Sequence, residues 1–189
     1  MVTSSEGTCQ DGFTLIELIV YSALLMLVLS VVGGIFLGGL NTATNVRTVT
    51  NASTAGQIVA DSVETNIRNA SDFQLTVPSA TDDQFLVART AQRGDTLTWS
   101  CIAWYYSAAG EGSIHFKQSD VAILEPTTLE LTNWVLLDQG VTPASGTTIF
   151  SSSGQRLSMA FKGDAGNHPP VIITSSATSR AGASGSLTC

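Results

Sequence analysis

One uncharged apolar run limits the folds open to this chain more than any other feature. Residues 18–40 read LIVYSALLMLVLSVVGGIFLGGL and contain no Asp, Glu, Lys or Arg. As a helix rising about 1.5 Å per residue, the run is about 35 Å long, enough to cross a hydrocarbon core of about 30 Å. It is longer than the apolar region of a secretory signal peptide, which is usually about 7–15 residues. The sequence therefore predicts a membrane-spanning helix, for which a plain membrane anchor is the simplest interpretation.

A plain anchor does not account for the carboxylate that stands directly before the run. Glu17 precedes Leu18 without a break. A carboxylate that enters hydrocarbon without a partner is costly, so an ionisable residue at this place indicates a function and a cationic partner.

The six residues Gly12-Phe13-Thr14-Leu15-Ile16-Glu17, followed at once by a spanning helix, resemble the N-terminal signature of type IV pilins and type II secretion pseudopilins. The resemblance implies that a prepilin peptidase cuts after Gly12 and that Phe13 becomes an N-methylated N-terminus. It also implies that Glu17 is the carboxylate used in assembly. The other partners that it implies are further pilin or pseudopilin subunits, an inner-membrane assembly platform and the lipid bilayer.

Cleavage after Gly12 would create an ammonium group on Phe13, and this group on a neighbouring subunit is the partner implied for Glu17. Removing one member of a buried ion pair costs about 3–5 kcal/mol. Pairing of this kind would fix the axial register between subunits, and processing would have to precede assembly because the amine does not exist before the cut.

Apolar residues continue at helical spacing beyond the run, and the face between them is polar. They are Val46, Val49, Ala52, Gly56, Val59, Val63 and Ile67. Steps of three and four residues place them on one stripe. We therefore expect one helix from about residue 13 to residue 69, with two helices broken at residues 41–42 as the alternative.

From residue 73 onward the pattern changes to short strands separated by Pro, Asp, Gly and Ser clusters. The predicted strands cover residues 73–77, 84–90, 96–107, 113–118, 134–138, 147–151, 156–163 and 171–176. The clearest alternation is that of Leu157, Met159 and Phe161 with more polar neighbours. A long helix followed by antiparallel strands is an α+β architecture.

The predicted fold is thus a long N-terminal helix, membrane-spanning in its first half, packed on an antiparallel β-sheet domain, as in the pilin fold that the resemblance implies. We expect four regions: a leader (residues 1–12), a transmembrane or filament-core half-helix (13–40), an amphipathic half-helix (41–70) and a β-rich globular head (71–189). The order of the elements also resembles that of J-type minor pseudopilins.

Aromatic residues crowd the predicted strand 96–107 and fall on both of its faces, which predicts a central strand. Trp104 and Tyr106 have two interpretations: packing in the core, which the pattern favours, or a patch that binds a partner.

Cys101 and Cys189 would both lie outside the cytosol, where cysteines often pair. A disulfide between them, or a buried Cys101 with a free Cys189, are the two alternatives.

Composition argues against several other functions. The chain carries 8 Lys and Arg against 15 Asp and Glu, a net charge of −7, so we expect no nucleic-acid partner held by phosphate contacts. No nucleophile elbow, Cys-x-x-Cys or phosphate-binding loop is present, so we expect no enzymatic activity, no cofactor and no metal. Asp82-Asp83 and the turn after Asp164 are interpreted as turn acids rather than calcium ligands.

The functional prediction is therefore a prepilin, more like a minor than a major subunit, of a type IV pilus or a type II secretion pseudopilus. It would be a single-pass membrane protein with an extracytoplasmic C-terminal domain before it enters a filament. The alternative is a membrane-anchored extracytoplasmic binding or adhesion module that does not polymerise.

Overall fold

The computed structural model describes residues 14–77, 81–92, 98–180 and 189. It begins with one long helix, and the described residues after that helix form nine strands and one 3-10 helix joined by turns and loops. The elements are α1 (Leu15–Asn69), β1 (Ala70–Thr76), β2 (Gln84–Ala91), β3 (Trp99–Ser107), β4 (Ser113–Ser119), the 3-10 helix η1 (Glu130–Asn133), β5 (Val135–Gln139), β6 (Val141–Pro143), β7 (Phe150–Ser153), β8 (Arg156–Gly163) and β9 (Val171–Thr178). The predicted α+β class is confirmed.

The chain divides into two compact units, Met1–Asn45 and Val46–Cys189. In the described part of the first unit the residues form consecutive turns of α1, and their apolar side chains are exposed, from Leu15 (77% accessible) to Leu40 (51%). Because α1 has no interruption between Leu15 and Asn69, the alternative of two helices broken at residues 41–42 is wrong.

The second unit contains two antiparallel sheets. The first has five strands in the order β1-β2-β3-β4-β5, so the aromatic strand β3 is central, as predicted. In the second sheet β8 pairs with β9 along its whole length, while β6 and β7 share its other edge. Strand β6 and helix η1 were not predicted, and the sequence pattern did not separate the strands into two sheets.

The main core lies between the second half of α1 and both sheets. The helix contributes buried side chains of Val59, Val63 and Ile67, which continue the stripe seen in the sequence. The two sheets contribute mainly large side chains: Leu86, Ile102, Trp104 and Ile114 from the first, and Phe150, Leu157, Met159 and Phe161 from the second. The predicted alternation along β8 is therefore confirmed.

A second, smaller cluster covers the opposite face of the five-stranded sheet. Its side chains from the sheet are Phe85, Val87, Cys101, Ala103 and Tyr105. Ile123 and Trp134, from the segment between β4 and β5, pack on them. Both faces of β3 are therefore covered, which explains why aromatic residues occur on both.

This double coverage decides between the two interpretations of Trp104 and Tyr106. Their side chains are 0% and 2% accessible, respectively. The Trp104 indole N–H donates to the hydroxyl of Ser62 on α1 at 3.1 Å. A partner-binding patch made of these two residues is therefore wrong, because both side chains are used to join the sheet to the core.

Candidate functional site

The start of α1 is fixed by Thr14. The Glu17 N–H donates to the Thr14 hydroxyl at 3.4 Å and to its carbonyl at 3.1 Å. Leu18 N–H reaches the same carbonyl at 3.2 Å. A Thr followed three residues later by Glu is the pattern of a capping box, in which the hydroxyl satisfies a backbone donor of the first turn. Thr14 and Glu17 are therefore a helix-start signal that can be read in the sequence.

The Glu17 carboxylate points along the helix, away from its own cap. The Tyr21 hydroxyl, one turn later, donates to Glu17 Oε1 at 3.1 Å; in the isolated chain Tyr21 is exposed and Glu17 is partly exposed. Within the described part of the chain, Oε2 receives no hydrogen bond. Sequence reasoning missed Tyr21, although residues four apart on a helix are neighbours and a phenol is a natural donor to a carboxylate.

The other polar side chains of the apolar run are satisfied within the helix. The hydroxyl of Ser22 donates to the carbonyl of Ile19 at 2.9 Å, and that of Ser30 donates to the carbonyl of Met26 at 2.8 Å. Internal satisfaction of polar groups is what a hydrocarbon environment demands. Glu17 Oε2 is the exception, because it is an acceptor at the edge of an apolar surface to which none of the described residues donates.

Helix α1 is, within the described residues, the single helix long and apolar enough to cross a membrane by length and composition. Its first turn contains one acidic residue, Glu17, and the next 23 residues contain no charge.

Residues 8–40 match the family described as "Prokaryotic N-terminal methylation motif". The match supports a type IV pilin-like signature, and it indicates a prepilin-type processed subunit with a membrane-anchoring helix. It includes Gly12, Phe13 and Glu17. Gly12 and Phe13 lie outside the described residues, so the match rather than the geometry bears on them. No curated protein and no solved structure matches the chain.

The structure brings the two cysteines of the second unit together. Cys101 on β3 and Cys189 are joined by a disulfide, with their Cα atoms 5.6 Å apart. The carbonyl of Cys189 also accepts the Ile123 N–H at 3.1 Å. The bond therefore attaches the last residue to the central strand and to the segment that covers the second cluster.

Two of the acidic residues considered as calcium ligands accept hydrogen bonds from within the protein. Asp83 accepts the Ala108 N–H at 2.7 Å and the Tyr105 hydroxyl at 3.0 Å, and Asp164 accepts the Gly166 N–H at 2.8 Å. Burial, reinforced by Asp83, raises the pKa of Tyr105 well above its usual value. In the part of the chain that is described, no three His, Cys, Asp or Glu side chains are grouped as metal ligands would be.

Among the described residues of the head, two titratable side chains, those of His115 and Asp138, each have one buried polar atom without a hydrogen-bond partner. Asp138 accepts the Gln139 N–H with Oδ1 at 2.9 Å, but its buried Oδ2 has no partner. Burial raises the pKa of Asp138 and lowers that of His115, whose Nε2 meets the Ser113 hydroxyl at 3.0 Å. His115 is half-buried. These groups lie on β4 and β5, and the Ser113 hydroxyl is the side-chain group that contacts the His115 ring.

Proposed function

We propose that this chain is a structural subunit, a minor one, of a type IV pilus or a type II secretion pseudopilus. A prepilin peptidase cuts it between Gly12 and Phe13, Phe13 is N-methylated, and the mature subunit enters a filament through α1. The observation that carries the proposal is the exposed apolar helix whose first turn holds Glu17, within a segment that matches a methylation motif.

The chemistry of the first turn supports an assembly role. A carboxylate at the edge of hydrocarbon is retained at a cost, and it needs a cation to offset that cost. The N-terminal ammonium of an adjacent processed subunit is such a cation. The Oε2 atom of Glu17, which receives no hydrogen bond from the described residues, is available to accept a bond from it.

The head supports an extracytoplasmic location. A disulfide between Cys101 and Cys189 is the kind of bond that persists in an oxidising compartment. Before assembly the protein is then a single-pass membrane protein whose second unit lies outside the cytoplasm. Its partners are prepilin peptidase, other pilin or pseudopilin subunits and the inner-membrane assembly platform.

The proposal of a minor, J-type subunit is supported by the head itself. Nine strands in two sheets are described after α1, which is a larger strand-rich domain than a compact major subunit needs. The neighbouring genes would identify the machine, since type II secretion, type IV pilus and competence systems share the N-terminal signature.

The proposal is tested by comparing two Glu17 variants with wild type in cells that contain the native partners. Glu17→Ala and Glu17→Gln should both be cleaved normally, because the peptidase reads Gly12 and its surroundings. Both should be depleted in sheared filaments relative to the membrane fraction, because neither can neutralise the amine. The matched control is Asp61→Ala, which removes an exposed carboxylate from the same helix outside the apolar run.

Three outcomes are informative. Depletion of the Glu17 variants but not of the Asp61 variant supports the proposal. Incorporation of Glu17→Ala at the wild-type level, with filament number unchanged, contradicts the ion-pair account. Cleaved wild-type protein that never enters a filament favours the non-polymerising binding or adhesion module instead.

A further inference from the structure

The geometry points to Tyr21 as the residue that positions Glu17 for its partner. This inference rests on the proposed function and deepens it, because it names a second side chain at the same assembly site. It starts from the hydrogen bond between the Tyr21 hydroxyl and Glu17 Oε1 at 3.1 Å.

The bond matters because of where it lies. Residues 18–40 contain no charged residue, and the Ser22 and Ser30 hydroxyls donate to backbone carbonyls of their own helix. Among the described side chains of the run, Tyr21 is the one that donates to the carboxylate. In hydrocarbon, a hydrogen bond to an ionised group is worth more than one between neutral groups, because water is absent as a competitor.

The bond also selects the direction of the carboxylate. In a complete capping box the Glu side chain would fold back toward the N-cap residue. Here Thr14 accepts the Glu17 N–H, but the Glu17 side chain extends toward Tyr21, one turn in the C-terminal direction. A flexible side chain is thereby held in one geometry before the partner arrives, and less conformational entropy is lost on docking.

The two carboxylate oxygens then have separate tasks. Tyr21 occupies Oε1, and Oε2 receives no donor from the described residues, so it stays available for the ammonium group of an adjacent subunit. Two donors on one carboxylate do not compete, because an ionised carboxylate has about four acceptor sites. Tyr21 is therefore a positioning residue that acts through Glu17 and makes no ion pair itself.

The test is Tyr21→Phe, which removes one hydroxyl and keeps the aromatic ring. We expect normal cleavage and membrane insertion, and a ratio of filament to membrane protein at least about tenfold below wild type, as expected for the loss of a hydrogen bond to a charged group. Ser30→Ala is the matched control, since it also deletes one hydroxyl from the span but leaves Glu17 untouched. This control should behave as wild type.

A spectroscopic measurement separates positioning from general damage to the helix. In the unassembled full-length protein in bilayers, with ¹³C-labelled Glu, the infrared carboxylate band should differ between wild type and Tyr21→Phe. The same difference should vanish when both proteins also carry Glu17→Gln. A merely structural effect of the phenol would not depend on Glu17 in this way.

The outcomes also separate this inference from the proposed function. If Glu17→Ala is depleted from filaments while Tyr21→Phe assembles as wild type and leaves the infrared band unchanged, the positioning role is overturned and the assembly role stands. If Glu17→Ala assembles normally, the proposed ion pair fails, and the infrared result alone still decides whether Tyr21 holds the carboxylate. A Tyr21→Phe defect that persists in the Glu17→Gln background, with no change in the infrared band, also overturns the inference.

Discussion

Among the single residues, Asp138 shows how burial changes the pKa of a carboxyl group. The residue is 9% accessible, and its Oδ2 atom has no hydrogen-bond partner among the described residues. Burial raises its pKa, which means that the folded chain binds the proton more tightly than the unfolded chain. The free energy of unfolding is then highest below the pKa of the unfolded state. The contribution of Asp138 to this free energy falls as the pH rises from the pKa of the unfolded state to the pKa of the folded state.

The Asp138→Asn variant should therefore be more stable than wild type at neutral pH, by about 1 kcal/mol, the lower end of the cost of an unsatisfied buried polar group. The amide keeps the acceptor for the Gln139 N–H and carries no charge. The gain should shrink toward zero below the unfolded-state pKa, where Asp138 is protonated in wild type too. Urea unfolding of both proteins across this pH range measures the difference in stability. A gain that does not depend on pH would contradict the assignment of the effect to the Asp138 charge.

The candidate site was predictable at this scale only in part. The six residues from Gly12 to Glu17 and the uncharged run after them suffice to predict the processing signature. The roles of Thr14 and Tyr21 depend on the side-chain conformations at the start of the helix. Sequence spacing alone is compatible with several hydrogen-bond partners for each residue. The pairing of Cys101 with Cys189 depends on contacts 88 residues apart, which no local pattern records.

At the scale of elements, α1 and β8 were predictable because each has one dominant period. Strand β6 was missed because it has three residues and ends in a proline. Segment 120–134 was missed as a cover of the second cluster because Ile123 and Trp134, the residues that it contributes to that cluster, follow no regular spacing. Local periodicity therefore predicted the long elements. The second layer on the five-stranded sheet could not be predicted in this way, because it is defined by tertiary packing rather than by a local pattern.

The packing of α1 on the second sheet depends on a glycine. A Cβ atom at Gly56 would lie 2.7 Å from Cγ1 of Ile173 and 3.5 Å from Cε2 of Phe161. Gly56→Ala gains about 1 kcal/mol in helix propensity, but Cγ1 of Ile173 is close to the backbone of β9 and cannot move cheaply. Overpacking of a core costs about 1–3 kcal/mol.

We therefore expect Gly56→Ala to lower the free energy of unfolding of the head by up to about 2 kcal/mol, which is the overpacking cost less the gain in helix propensity. Gly34→Ala is the matched control on the same helix, since no atom lies within 4 Å of the added methyl group in the isolated chain. Denaturant unfolding of the unassembled proteins gives both values. A Gly56→Ala protein more stable than wild type would show that propensity outweighs the contact with Ile173.

At the scale of the whole molecule, the disulfide joins parts that are far apart in the sequence. Cys189 is attached to the central strand through Cys101, and its carbonyl accepts a bond from Ile123 in the covering segment. Closing a loop of this length is worth about 4–5 kcal/mol in the chain-entropy description. The second unit should thus depend on an oxidising compartment for much of its stability.

Cys189→Ser should lower the free energy of unfolding of the head by up to about 4 kcal/mol. Reduced wild-type protein should show the same loss, and the reductant should have no further effect on the variant. Peptide mapping without reduction checks the linkage itself. Equal stability of oxidised and reduced wild-type protein would contradict this role of the bond.

If the chain is a processed filament subunit, its mature N-terminus must lie at Phe13. Mass spectrometry of protein extracted from the membrane of its native host should find a mature chain that begins at Phe13 and carries one N-methyl group. Gly12→Val should retain its leader, because the peptidase requires a small residue before the cut. A wild-type chain that begins at Met1, or normal cleavage of the Gly12→Val protein, would contradict the account.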